Sequence, residues 1–165
     1  MKSWKPESQN KDAARLTPAA CRKRAMDALA RREHSRFELE RKLASAGFDG
    51  EVIVVVLDRL AEERLQCDQR FAESFVSSRY RQGKGPLKIR ADLSQRGLSD
   101  AEIEHALRSA ALDWRALASE VRERKFGAAK PDDYQEKARQ CRFLAARGFD
   151  AQTAIAVASG GSSVE

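Results

Sequence analysis

The sequence predicts an all-α protein, with three tandem three-helix repeats forming an elongated, curved helical array. Three observations predict it. Apolar residues recur at three- and four-residue spacing along most of the chain, and β-branched residues cluster only at 52–56. Small polar residues suited to N-caps alternate with glycines suited to helix ends. Finally, lining up Gly47, Gly97 and Gly148 superimposes Leu43, Leu93 and Leu144, then Phe48, Leu98 and Phe149, then Asp49, Ser99 and Asp150, at a period of 50 to 51 residues. One such unit buries too little to be stable alone, whereas stacked units cover one another's faces.

Residues 1–16 are polar, basic and aperiodic, and read as a disordered arm. The first repeat, 17–66, opens with Thr17-Pro18, an N-cap followed by a proline whose missing N–H costs nothing in a first turn. That helix runs to about Arg32, with Cys21, Ala25, Met26, Leu29 and Ala30 inward. Ser35 and Glu38 have capping-box spacing and open a helix through Phe37, Leu39 and Leu43 to Gly47. Asp49 caps the next, which holds Val52, Ile53, Val56, Leu57 and Leu60.

The second repeat, 67–112, begins with Asp68 as the expected N-cap of a helix through Phe71, Phe75 and Val76. Gly83 and Gly85 break that helix, Pro86 starts another through Ile89 and Leu93 to Gly97, and Ser99 with Glu102 repeats the capping-box spacing before Ile103, Ala106 and Leu107. In the third repeat, 113–160, Asp113 caps a helix through Trp114, Leu117 and Val121 to Phe126. Asp133 caps one from Tyr134 through Phe143 and Leu144 to Gly148, and Asp150 caps the last, with Ile155 and Val157. Residues 161–165 read as a flexible tail.

The 165 residues carry a formal net charge of +6, unevenly spread. Residues 1–32 hold +6, 33–66 hold −3, 67–100 hold +3, and the rest is balanced. Local basic character of this kind suits an acidic or nucleic-acid partner. No stretch approaches the ~20 apolar residues of a membrane span, and the N-terminus has no apolar core of a secretory signal, so no membrane contact and a cytoplasmic location are expected. Cys21, Cys67 and Cys141 form neither a disulfide framework nor a zinc set, and His34 and His105 lack ligand spacing to them or to each other. No metal or other cofactor is expected.

Catalytic constellations are missing too. The glycines at 83–85 do not follow a strand, as a phosphate loop requires, and no Ser or Cys nucleophile comes with a histidine base. Glu62-Glu63 and Asp132-Asp133 fall at helix ends, where carboxylates cap or are solvated. A non-enzyme is expected. The helices after Gly47, Gly97 and Gly148 have the look of recognition helices, but their first turns are acidic or neutral, with no Lys or Arg to meet phosphates or bases.

Basic residues lie earlier in each repeat. Between 79 and 96 stand Arg79, Arg81, Lys84, Lys88, Arg90 and Arg96, opposed within that span only by Asp92. These six are the candidate partner- and DNA-binding residues. Gly83, Gly85, Pro86 and Gly97 are turn positions, and Gly83 and Gly85 would let a partner approach the backbone closely. Leu43, Phe71, Phe75, Leu93 and Leu144 are candidate core. The alternative is a solvated face with two loop glycines.

The stretch DQRFAESFVSSRYRQGKGPLKIRADLSQRGL, 68–98, resembles the central motif of the RecX family, the modulators of the RecA recombinase. SRFELERKLASAGF at 35–48 resembles that family's first-repeat motif, and RFLAARGF at 142–149 its third. The central motif is intact at Phe71, Phe75, Arg79, Gly83, Gly85, Pro86, Ile89, Leu93 and Gly97. The resemblance covers about residues 17–160 and leaves the arm outside. It implies a cytoplasmic, monomeric protein of tandem three-helix repeats that binds the groove of the RecA–single-stranded DNA filament, and double-stranded DNA at most weakly. It further implies inhibition of RecA ATPase, strand exchange and filament growth, hence a role in homologous recombination, DNA repair and the SOS response. The rival expectation is an independent basic single-stranded DNA binder that competes with RecA for DNA. Against that rival, only Tyr80 is placed near the basic run to stack on a base.

Overall fold

In the computed structural model, which describes residues 16–160, those residues form nine α-helices and no strand. They are α1 (Pro18–Leu29), α2 (Arg36–Ser45), α3 (Gly50–Glu62), α4 (Asp68–Arg81), α5 (Pro86–Ser94), α6 (Asp100–Ser109), α7 (Trp114–Phe126), α8 (Tyr134–Arg147) and α9 (Ala151–Ala158). Apart from Leu16, the expected arm lies outside the described residues, as does the tail at 161–165. No described helix is long and apolar enough to cross a membrane.

The repeat is visible in its hydrogen bonds. Gly47, Gly97 and Gly148 have φ of +91°, +84° and +95°. At each one the following residue donates back to the leucine: Phe48 to Leu43 O at 3.3 Å, Leu98 to Leu93 O at 3.4 Å, Phe149 to Leu144 O at 3.1 Å. The glycine N–H bonds the residue three before it in all three cases. These are Schellman caps, which satisfy the last carbonyls of a helix and require a left-handed residue. Each next helix is then capped by a side chain: Asp49 accepts from Glu51 N–H, Ser99 from Glu102 in a full capping box, and Asp150 from Thr153. A second left-handed position ends α3, α6 and α9, at Arg64, Ala111 and Gly160. Only the last of these is a glycine, so the sequence does not mark the other two.

Two compact units divide at Phe71 and Ala72, within α4. In the first, α1, α2 and α3 pack on one another around Cys21, Ala25, Ala28, Leu39, Leu43, Ile53, Val56, Leu57 and Leu60. Ala28 takes the inner place expected of Ala30, which is exposed, and Phe37 is exposed as well. Asp68 does not stand before its helix as an N-cap but is its first residue. Its Oδ1 accepts from the Arg36 backbone N–H at 2.8 Å and from Gln66 Nε2 at 2.8 Å, so it caps α2. Arg36 lies between Glu40 and Asp58; burial works against its charge, but the two carboxylates outweigh that and raise its pKa. His34 is buried, its Nδ1 donating to Arg32 O at 3.0 Å, and burial lowers its pKa.

In the second unit α7, α8 and α9 pack around Leu117, Ala118, Val121, Leu144, Phe149, Ala154 and Val157, while α5 packs on α6. Ile155, expected to face inward, is exposed. Arg122 is buried and donates to the Ala128 and Ala129 carbonyls and to Gln140 Oε1, which satisfies backbone groups of the α7–α8 connection.

Candidate partner-binding surface

The six candidate cations divide by what they touch. Arg79 donates from Nη1 to Gln82 Oε1 at 2.9 Å, and its Nε lies 3.9 Å from Asp92 Oδ2. Its guanidinium sits 4.7 Å from the centre of the Phe75 ring. Arg96 sits 4.8 Å from the same ring and donates to Asp92 O at 2.6 Å. Phe75, expected in the core, is therefore only partly buried and carries two guanidinium groups. Cation–π contacts hold such charges best when partly desolvated; the Arg79 contact lies within α4, and the Arg96 contact ties α4 to the turn that follows α5. Arg90 pairs with Glu104 of α6. Leu43, Phe71, Leu93 and Leu144 are all buried.

Arg81, Lys84 and Lys88 are different. Arg81 and Lys88 are exposed and Lys84 partly so, and none of the three has an ion-pair or hydrogen-bond partner for its side chain among the described residues. They form the part of the basic run whose charge no side chain among the described residues answers.

The glycines between them do not wait for a partner. Gly83 has φ +71°, and a Cβ there would lie 2.8 Å from Val121. At Gly85 a Cβ would lie 2.3 Å from Gly148 O, and at Gly148 it would lie 2.4 Å from Lys88 Cβ. The backbones meet because Gly85 N–H donates to Arg147 O at 2.8 Å and Leu87 N–H to Gly148 O at 3.0 Å. The unpaired donors at the start of α5 are thus answered by the unpaired carbonyls at the end of α8. The expected approach of a partner to Gly83 and Gly85 is corrected: the third repeat occupies that space. Arg147 adds a bond to Gln82 O at 3.3 Å and lies over Phe143. Tyr80 also belongs to this junction, donating to Asp113 O at 3.3 Å and meeting Trp114 edge-on at 5.4 Å. Nothing in the sequence pairs Gly85 with Gly148. Their contact spans 63 positions, and the repeat alignment itself treats Gly148 like the exposed Gly47 and Gly97.

Among the described residues no group of three or more His, Cys, Asp and Glu side chains could hold a metal ion. Comparison with known proteins matches three family models in order: the first three-helix domain of RecX to residues 21–60, the second to 68–107 and the third to 113–157. The chain belongs to the RecX family. A regulatory protein RecX of Pseudomonas savastanoi pv. phaseolicola is 53% identical over 133 residues, 81% of this chain and 86% of that protein. One of Pseudomonas fluorescens strain SBW25 is 49% identical over 144 residues, covering 87% and 93%. The fold resembles the crystal structure of RecX from Lactobacillus salivarius, with a TM-score of 0.74 over 85% of this chain and 93% of that one, at 24% identity. RecX proteins carry the name of regulators, and this chain shares their three-domain helical architecture.

Proposed function

We propose that this chain regulates the RecA recombinase by binding the RecA–single-stranded DNA filament and inhibiting its ATPase, recombinase activity and growth. The observation that carries the reading is the ordered match to all three RecX domains. Inhibition works by occupancy, with no bond made or broken by the chain. Functional repeats spanning 17–66, 67–112 and 113–160 would engage several subunits of a repeating filament, so that modest contacts add through high local concentration. Arg81, Lys84 and Lys88 are the proposed phosphate contacts, while Arg79, Arg90 and Arg96 hold the helices that present them. The protein acts as a monomer in the cytoplasm.

Plain competition for DNA is less well supported. Tyr80, the aromatic best placed for base stacking, is engaged with Trp114 and Asp113. RecA ATPase on saturating single-stranded DNA separates the two readings. Inhibition by the chain at concentrations far below the DNA sites is the expected result. Inhibition only when most sites could be covered would establish competition, and no inhibition at any ratio would overturn both.

A further inference from the structure

We infer that a pocket between the α4–α5 turn, α7 and α8 seats a backbone phosphate of single-stranded nucleic acid, held by Lys125 and Arg147. The inference rests on the reading above, in which Arg81, Lys84 and Lys88 meet single-stranded DNA. It carries the path of that strand onto the third repeat.

Two pairs at four-residue spacing build the pocket. On α7 Val121 stands one turn before Lys125, and on α8 Phe143 stands one turn before Arg147, so each helix puts an apolar side chain and a cation on one face. Both pairs line a single pocket of about 140 Å³, to which the turn at Gln82 and Gly83 adds a third wall. Val121 is buried and Phe143 partly buried, whereas Lys125 is exposed.

The charge around this space is one-sided. No carboxylate lines it. Arg124 does, but it is paired with Glu120, and Glu123, the other acid of that turn, has its Oε1 4.0 Å from Arg122 Nη2. Lys125 has no hydrogen-bond or ion-pair partner among the described residues. Arg147 spends Nη1 on Gln82 O at 3.3 Å and lies 5.3 Å from the centre of the Phe143 ring. Those contacts fix its guanidinium and leave its other N–H groups for a ligand.

Carbonyls that would oppose an anion at this end of α8 are already taken. Arg147 O accepts from Gly85 N–H at 2.8 Å and Gly148 O from Leu87 N–H at 3.0 Å. Space and continuity then choose the anion. A helix, about 10 Å across with its side chains, cannot enter 140 Å³. A phosphate with part of its sugar can, the sugar against the apolar side chains. Arg81 and Lys84 flank Gln82 and Gly83 in the chain, so one wall of the pocket is the turn that carries two of the proposed phosphate contacts. One strand running past that turn meets both.

The test uses the full chain with Lys125→Ala and, separately, Arg147→Gln. Arg142→Ala is the control, removing an equal charge from an exposed position of α8 outside the pocket. Circular dichroism establishes which variants are folded; Lys125→Ala breaks no hydrogen bond or ion pair and keeps the test decisive if Arg147→Gln unfolds. Binding to a fluorescent oligothymidylate is read by anisotropy over a salt series, and binding to RecA filaments by co-sedimentation. Lys125→Ala should weaken DNA binding about two- to fivefold at low salt, the worth of one exposed ion pair. It should also lower the slope of log affinity against log salt by about 0.7. The same losses are expected when Lys125→Ala is added to the combined Arg81→Ala, Lys84→Ala and Lys88→Ala variant, since all four cations meet one strand. An unchanged Lys125→Ala, or an Arg142→Ala that loses as much, would overturn the seat and leave the regulatory reading intact. Weaker filament binding with free-DNA affinity unchanged would mean that an acidic protein surface fills the pocket, and would overturn it too. A wild-type chain that binds no single-stranded DNA, free or in filaments, would instead sink the reading on which this inference stands.

Discussion

Two glycines show how the same residue type serves opposite ends. Gly85 lies where a single methyl group would strike the backbone carbonyl of Gly148, so Gly85→Ala should destabilise the protein by about 1–3 kcal/mol, the range typical of overpacking. Gly50→Ala meets empty space in an ordinary helical conformation and should be neutral or stabilising by about 0.5–1 kcal/mol. Urea denaturation of the two variants checks this, and equal midpoints would disprove the Gly85–Gly148 contact. His34 offers a second residue-scale prediction. Burial lowers its pKa, so the unfolded chain takes up a proton more readily than the folded one. Its contribution to stability is full above its ordinary value of 6.5 and is lost as pH falls through the window below it. Wild type should therefore lose more melting temperature between pH 7.5 and 5.5 than His34→Gln does. Glu102 and Asp150, whose pKa values are lowered by hydrogen bonds from Ser99 and Thr153, add a further loss at more acidic pH.

Helix ends are the elements on which the repeat is built. The Schellman caps at Gly47, Gly97 and Gly148 answer carbonyls within one turn, and the Asp or Ser that follows answers the N–H groups of the next helix. The reversal is therefore local and repeats wherever the leucine, the glycine four residues on, and the apolar and capping residues after it recur. The ends of α3 and α6 lack this marking, since Arg64 and Ala111 adopt φ of +58° and +47° without being glycine. A left-handed conformation costs an L-residue about 1–2 kcal/mol. Part of that is recovered by substituting glycine, which loses more chain entropy on folding. Ala111→Gly should accordingly raise stability by up to about 1 kcal/mol, measured as a higher urea midpoint. A lower midpoint would mean that the Ala111 methyl packs usefully and outweighs the strain.

Across the described residues the cations of the basic run separate into those held by other groups and those without a side-chain partner. Changing Arg81, Lys84 and Lys88 together to Ala should leave stability within about 1 kcal/mol of wild type, because exposed unpaired charges contribute little. The same variant should weaken binding to single-stranded DNA and flatten its dependence on salt, since each lost phosphate contact removes about 0.7 from the slope of log affinity against log salt. Arg79→Ala should behave in the reverse way. It removes the contact with Phe75, the bond to Gln82 and the charge facing Asp92, and should lower the melting temperature. An Arg79→Ala variant that melts like wild type but binds DNA poorly would return Arg79 to the contact surface.

The sequence by itself determined the helical class, the threefold repeat, the N-caps at Thr17, Ser35, Asp49, Ser99, Asp113, Asp133 and Asp150, and the burial of Leu43, Leu93 and Leu144. These depend on spacing within a few residues: periodicity decides the inner face, and a cap is complete within one turn. Tertiary structure decided what the charged and small residues are for. Asp68 caps a helix that starts 32 positions earlier, Arg90 finds Glu104 on the next helix, and Gly85 closes on Gly148. A basic run in one dimension shows only that acids are absent nearby in the chain. Whether a guanidinium faces solvent, an aromatic ring or a distant carboxylate depends on how the helices pack, and packing brings together residues that local spacing cannot relate.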